Sequence, residues 1–379
     1  MLSYIARRIL LMIPTLFGIM VINFFVTQAA PGGPVETLLS RLKGEYVDPT
    51  ARFGGGGGGE GGEIRNQQQQ QTLEDRGTTS KYRGARGLDP EFIKEIEKQF
   101  GFDKPMHVRF IDMMGRYLRF DFGESYFRDR KVVDLIIDKF PVSITIGFWT
   151  TLFTYLIAIP LGIAKAVQDG TRFDVWTSAA VIIGNAVPEF LFAIFLIVLF
   201  AGGSYFDWFP LRGLLSEEYS QHSLWSCAAD LGCVGNYFWH ITLPIGAMVI
   251  GGYAGLTMLT KNCFIDEINK QYVTTARAKG LSEGRVLYGH VFRNAMLLVI
   301  AGFPGALIGI LFAGTVFIEL IFSLDGLGLL GFEAALNRDY SIMFGTLYAF
   351  GLFGLFMALI SDLTYTVIDP RIDFETREV

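Results

Sequence analysis

Four histidines, three cysteines and a few carboxylates set inside apolar runs are the residues that could do chemistry in this 379-residue chain. Cys227 and Cys233, flanked by His222 and His240, have the composition of a metal site, but their spacing matches no common zinc pattern. An intramembrane enzyme would need a nucleophile with its base, or a metal set, at one depth. No His-Glu-x-x-His, no Gly-x-Ser-x-Gly and no histidine pair within an apolar run is present. The glycines from Gly54 to Gly59 suggest a phosphate loop, yet no Gly-Lys-Ser/Thr follows and no Gly-x-x-x-x-Gly-Lys-Ser/Thr occurs anywhere. The chain is therefore expected to be no enzyme, to bind no ATP itself and to hold no metal or cofactor. The cysteine pair reads instead as a disulfide, provided its loop faces an oxidising compartment; Cys263 reads as a free thiol.

A different kind of chemistry is written between Lys261 and Ala295. The run Tyr272-Val273-Thr274-Thr275-Ala276-Arg277-Ala278-Lys279-Gly280-Leu281-Ser282-Glu283 reads as helix, break, helix. Helix formers up to Lys279 stop at Gly280, which suits a left-handed cap, and Ser282 can cap the next helix. Ala276, Ala278 and Gly280 are small enough to let this elbow seat in another protein's groove. Charge alone would only report topology; small residues at a fixed offset from a helix break report a contact.

These residues must be positioned by membrane helices. The chain is 51% hydrophobic and only 18% charged, with a mean hydropathy of +0.38, which excludes disorder and disfavours a soluble domain. An acidic pI of about 5.5 disfavours a nucleic-acid binder. About six apolar runs are long enough to span a bilayer: 9–29, 140–164, 175–200, 241–259, 295–318 and 342–368. Pro14, Pro160, Pro188 and Pro304 lie inside them and predict kinks. The first run is too long for a secretory signal, and Pro31 blocks the cleavage position. With both termini inside, the inner segments hold Arg7, Arg8, Lys165, Arg172, Lys261, Lys270, Arg277, Lys279, Arg285, Arg293, Arg371 and Arg377, against only Arg212 and Arg338 in the short outer loops. The first piece is thus 1–30, an inner tip and the first span. The core with spans two to six is 137–368, carrying the inner loop 261–294, and 369–379 is an inner tail.

Residues 31–136 are expected outside. Their first half, 45–86, is rich in Gly and Gln and reads as a flexible insertion. From 88 to 136 the character changes. Asp89-Pro90 starts a helix with Phe92, Ile93, Ile96 and Phe100 at helical spacing; Phe110, Met113, Met114, Tyr117 and Leu118 repeat the pattern. These amphipathic stretches either receive a partner or simply cover the span ends. Ionisable groups inside spans carry function by default. Asp362 is expected to pair with Arg277 or Arg293, tying elbow to bundle. Asn185, Glu189 and Glu319 either line a translocation path or cap helices near the outer surface. The segment Ser323 to Gly331 is too short to span and reads as a re-entrant or interfacial piece.

Thr274-Thr275-Ala276 with Gly280 four residues later resembles the EAA loop of ABC-transporter permeases, although Thr274 stands where Glu is usual. Ala-Arg-Ala-Lys-Gly-Leu-Ser, His290 to Ala295, Arg7-Arg8-Ile9, Ala30-Pro31-Gly32-Gly33-Pro34, Asp121 to Ser125, Phe140-Pro141-Val142-Ser143, Glu319 through Gly328 and Asp369-Pro370-Arg371 resemble the B-type permeases of the dipeptide/oligopeptide family, nearest to the type that imports peptides and microcin C. The Gly/Gln insertion and the Cys227/Cys233 pair are not part of that pattern. The resemblance implies an all-α type I importer permease in the bacterial inner membrane. It implies a second homologous permease (a heterodimer), cytoplasmic ATPase domains that hold ATP and Mg, a periplasmic peptide-binding protein and a peptide substrate. Thr274, Thr275, Ala276, Lys279, Gly280 and Leu281 would form the ATPase-coupling loop, moving as a rigid body. A stand-alone ion-coupled transporter is the alternative, although such proteins place charges at the midplane in repeated halves, whereas here they sit near span ends.

Overall fold

The computed structural model describes residues 2–30, 32–42, 90–99, 101–203, 205–219, 224–312 and 316–368. The flexible-insertion reading of 45–86, and the tail 369–379, fall outside them. In chain order the helices are α1 (Leu2–Ala29), α2 (Pro34–Leu42), α3 (Pro90–Gln99), α4 (Met106–Tyr117), α5 (Val132–Val167), α6 (Arg172–Ala186), α7 (Glu189–Phe200), α8 (Leu224–Cys227), α9 (Leu231–Ile268), α10 (Gln271–Ala278), α11 (Glu283–Val286), α12 (Phe292–Phe312), α13 (Val316–Ile321), α14 (Leu327–Asn337) and α15 (Tyr340–Ile368). Among the described residues there is no strand, only the isolated bridge between Glu124 and Lys131. The protein is an all-α polytopic membrane protein.

Five helices are long and apolar enough to cross a bilayer: α1, α5, α9, the α11–α12 run and α15. The sixth run departs from its expected form. Where the sequence predicts a kinked span over 175–200, α6 and α7 meet at 92°. Val187, before Pro188, is extended (φ −83°, ψ 120°), the geometry proline imposes on its predecessor, and Glu189 opens a new helix. Pro14, Pro141, Pro160, Pro244 and Pro304, by contrast, stay inside their helices.

Helix α5 has 36 residues and α9 has 38. At 1.5 Å per residue each exceeds 50 Å, well beyond a hydrocarbon core of about 30 Å. Thus Val132 to Ile136 begin the second span itself, and Lys261 to Ile268 belong to α9 rather than to a loop. The fifth apolar run is likewise divided: α12 ends at Phe312, and Glu319 sits on the separate short α13. Ser323 to Gly331 is a turn running into α14, which at 11 residues is apolar but too short to span.

The chain divides into two units. The larger contains 1–15, 139–329 and 350–379. Among the described residues its interior holds three apolar clusters, one of them joining Phe264, Val273, Val286, Val291 and Val299 at the end of α9 to α10 and α12. The smaller contains 16–138 and 330–349. There α2, unforeseen from the pattern, packs Val35 and Leu39 against Ile96 of α3. In α4, Phe110 meets Phe24 at a centroid distance of 5.2 Å and Tyr117 meets Tyr348 at 5.5 Å. The amphipathic stretches therefore sit on the halves of α1 and α15 that belong to this unit.

Candidate functional site: the elbow between α9 and α12

After α9 stops at Asn269, Lys270 takes an extended conformation and α10 begins. The Tyr272 hydroxyl donates to Glu267 at 2.7 Å across this turn. Helix α10 ends as the sequence predicts. Gly280 is left-handed at φ +81°, its N–H donates to the Arg277 carbonyl at 2.8 Å, and the Leu281 N–H donates to the Ala276 carbonyl at 3.4 Å. This double bond pattern is a Schellman cap, completed by the packing of Leu281 on the apolar cluster that holds Ala276. A Cβ at position 280 would meet nothing within 4 Å, so glycine is required by backbone conformation alone. Ser282 is extended ahead of α11 but forms no side-chain cap bond. The link from α11 into α12 is a π-helical turn over Leu287–Val291, which the apolar periodicity did not announce.

Val273 and Ala276 are buried against Phe264 of α9 and Val286 of α11, while Thr274, Thr275, Ala278, Lys279 and Gly280 are exposed. Ala276 is a correction: it was expected on the presenting face, and it faces inward because it sits three residues from Val273 on the apolar stripe. The elbow is thus a small polar surface fixed to a sealed base. Behind it lies a cavity of about 180 Å³ lined by residues of α5, α9 and α11, with Arg277 and Glu283 at its edge.

The expected tie between Asp362 and the elbow is not formed. Asp362 accepts from Arg8 at 2.7 Å and from the Tyr4 hydroxyl at 3.0 Å, joining α15 to α1. Arg277 turns back over the Gly280 break to Glu283, with contacts of 3.0 to 3.3 Å. Arg293 is exposed on α12. The reason is proximity: Arg277 finds a carboxylate six residues on, while the basic pair Arg7-Arg8, read as topology signal, supplies Asp362.

Glu319 and Glu189 are not equivalent either. Glu319 is fully buried; it accepts from the Ser143 hydroxyl at 3.2 Å and from the Leu329 N–H at 2.6 Å. Ser143 in turn accepts from the Leu327 N–H at 2.8 Å. Two orphan N–H groups of α14 are satisfied this way, with Glu319 capping the helix from a buried position. Glu189 sits at the N-terminus of α7 beside the break, one carboxylate oxygen buried without a hydrogen-bond partner. Asn185 is exposed on the other side of the bend. Cys227 and Cys233 are joined in a disulfide with Cα atoms 5.2 Å apart, packed on Tyr237 and Ile241 of α9. Cys263 is free.

The apolar helices, with α9 and α12 joined by a small-surfaced polar elbow, are those of a polytopic membrane protein. The chain belongs to the binding-protein-dependent transport system inner membrane component family, whose model matches residues 158–374, from the end of α5 through α15. It is 60% identical over 377 residues to the peptidoglycan transport system permease protein YejB of Agrobacterium fabrum, covering 100% of both chains. It is 56% identical over 377 residues to the inner membrane ABC transporter permease protein YejB of Escherichia coli O157:H7, covering 99% of this chain and 100% of that one. At 29% identity over 381 residues it is also similar to the oligopeptide transport system permease protein AppB of Bacillus subtilis, again covering 99% and 100%.

Proposed function

We propose that this chain is the permease subunit of an ATP-driven importer that carries peptides, including peptide pieces of the cell wall, across a bacterial inner membrane. The observation that carries the reading is the elbow: a helix closed by a Schellman cap at Gly280, its exposed face polar and small, its base packed on the end of α9. Such an element can be pushed without deforming, which is what a coupling element must do. Full-length similarity to permeases named for oligopeptide and peptidoglycan transport supports the substrate class.

In this reading Thr274, Thr275, Lys279, Gly280 and Leu281 meet an ATPase that holds ATP and Mg on separate subunits. Both termini and the elbow face the cytoplasm, and α2 to α4 face a peptide-binding protein. A second, homologous permease completes the pathway, and Asn185 and Glu189 at the α6–α7 bend face the peptide. The test is purification followed by reconstitution. The chain, expressed with its neighbouring genes, is expected to co-elute with an ATPase and to support uptake only with ATP. Gradient-driven uptake by the isolated chain would refute the importer and leave the ion-coupled transporter standing.

A further inference from the structure

A cluster of charges away from the elbow carries one more step. Lys165, near the end of α5, has a fully buried side chain. Its ammonium contacts four acceptors: the Asp174 carboxylate at 3.0 Å, the Asp174 carbonyl at 3.0 Å, Thr177 Oγ1 at 3.0 Å and Ser178 Oγ at 2.6 Å. The other carboxylate oxygen of Asp174 accepts from Lys261 of α9 at 2.7 Å, and Lys261 also reaches Asp169 at 2.8 Å. Asp174 itself is buried in the first turn of α6, where Thr171 caps the helix. One carboxylate therefore joins three helices: the end of α5, the start of α6 and the last turns of α9. Buried charges are tolerated only when fully partnered, and losing one partner leaves the others uncompensated. Such a grip favours a single arrangement.

What makes this grip mechanical is its place on α9. Lys261 lies one turn before Phe264, the residue on which the elbow's Val273 is packed. One residue upstream, α5 and α9 touch so closely that a Cβ at Gly162 would fall 2.6 Å from the Thr260 side chain. Further along, α9 also meets both arms of the bend. A Cβ at Gly184 of α6 would fall 2.8 Å from the Tyr253 hydroxyl, and one at Gly251 would fall 3.2 Å from the Glu189 carboxylate. Among the described residues, Lys261–Asp174 is the ion pair that holds the start of α6 to α9.

We infer that Asp174, held between Lys165 and Lys261, is the joint that makes α6 follow α9 when the elbow is driven, so that ATPase motion reaches the α6–α7 bend. Asp174 and Lys261 are positioning residues, and their role rests on the elbow being the ATPase contact. Photo-crosslinking from Thr275 in the complete wild-type complex tests that premise first: no capture of the ATPase there would sink the elbow reading, not the joint. With the premise met, Lys261→Ala, which leaves the Lys165–Asp174 pair in place, is expected to keep ATP turnover while lowering peptide taken up per ATP by about fivefold or more. Lys261→Arg is expected to restore the ratio. Spin labels on Arg172→Cys and Asn262→Cys, in a Cys263→Ser background, give a readout that does not depend on the Ala variant assembling. Their separation is expected to stay fixed in the wild-type sequence between nucleotide-free and ATP-trapped states. A wild-type ratio in Lys261→Ala, or a label separation that changes with ATP, would overturn the joint.

Discussion

The elbow between α9 and α12 and the unit built on α2 to α4 are both small helical assemblies, yet they treat charge in opposite ways. In the elbow the base is apolar, Phe264, Val273, Ala276 and Val286, and the Arg277–Glu283 pair lies outside it, its side chains 45% and 75% exposed. Such surface pairs contribute little. In the other unit polar groups range from partly exposed to buried and hold its segments together. Ser125 donates to the buried Asp339 at 2.5 Å, Arg128 meets Glu333 at 2.5 Å, Arg41 donates to Asn337 at 2.8 Å, and the guanidiniums of Arg41 and Arg109 lie 4.3 and 4.4 Å from the Phe127 and Phe102 ring centroids. Of these, Ser125, Arg109 and Phe102 line a cleft of about 1340 Å³ whose walls mix acids, bases and aromatic rings. The difference teaches where each region can be changed. The elbow's exposed face is free to be fitted to a partner because it holds nothing up, whereas polar residues of the other unit are part of its frame.

The sharpest way to break that contrast is at the one elbow residue whose backbone is not free. Gly280→Val places a β-branched side chain at φ +81° and is expected to lower uptake by about tenfold or more while ATP hydrolysis and membrane insertion persist. Normal uptake by that variant in proteoliposomes would remove the elbow from the mechanism. The second comparison is between two hydroxyls. Ser125→Ala is expected to cost about 1–3 kcal/mol, because a buried carboxylate loses its donor. Thr275→Ala, at an exposed position that only back-bonds to Gln271, is expected to stay within about 0.5 kcal/mol. Equal shifts in thermal unfolding of the purified complex would erase the distinction.

A third test concerns the tie actually formed in the larger unit. Asp362→Asn is expected to cost about 1 kcal/mol through the loss of Arg8, which is partly exposed. The swap Arg8→Asp with Asp362→Arg should recover part of it, and the same swap with Arg277 should recover none. The smallest effect is a pH dependence. Burial pushes the Asp339 carboxyl above the ordinary aspartate value, against the pull of Ser125 and the Ile342 N–H. Because the folded state holds this proton more tightly than the unfolded chain, the contribution is complete below the ordinary value and is lost as pH rises through the raised one. Hydrogen-exchange protection of 124–131, corrected for intrinsic rate, is therefore expected to fall with rising pH relative to Asp339→Asn.

Much of this was legible in the residue pattern. The long apolar runs mark α1, α5, α9, α12 and α15, Gly280 marks its left-handed cap, and Ile96, Met113 and Tyr117 mark the buried faces of α3 and α4. What escaped depends on contacts between distant segments. Pro188 signals a kink, but nothing local separates it from Pro160, which stays helical. Asp362 reads as an intramembrane carboxylate in need of a cation, but three-dimensional proximity selects Arg8 over Arg277. Glu319 looks accessible until Ser143 and the N-terminus of α14 close over it. Lys165 reads as an inner-loop topology charge, and only packing reveals that its side chain is wholly buried.

The central claim, that the elbow is where an ATPase is met, can be tested by placing a photo-crosslinking amino acid at Thr275 in the complete complex and, separately, at the exposed Ile111 of α4. The expected result is capture of the ATPase subunit at position 275 and not at position 111. Capture of the ATPase at 111, with none at 275, would contradict the account.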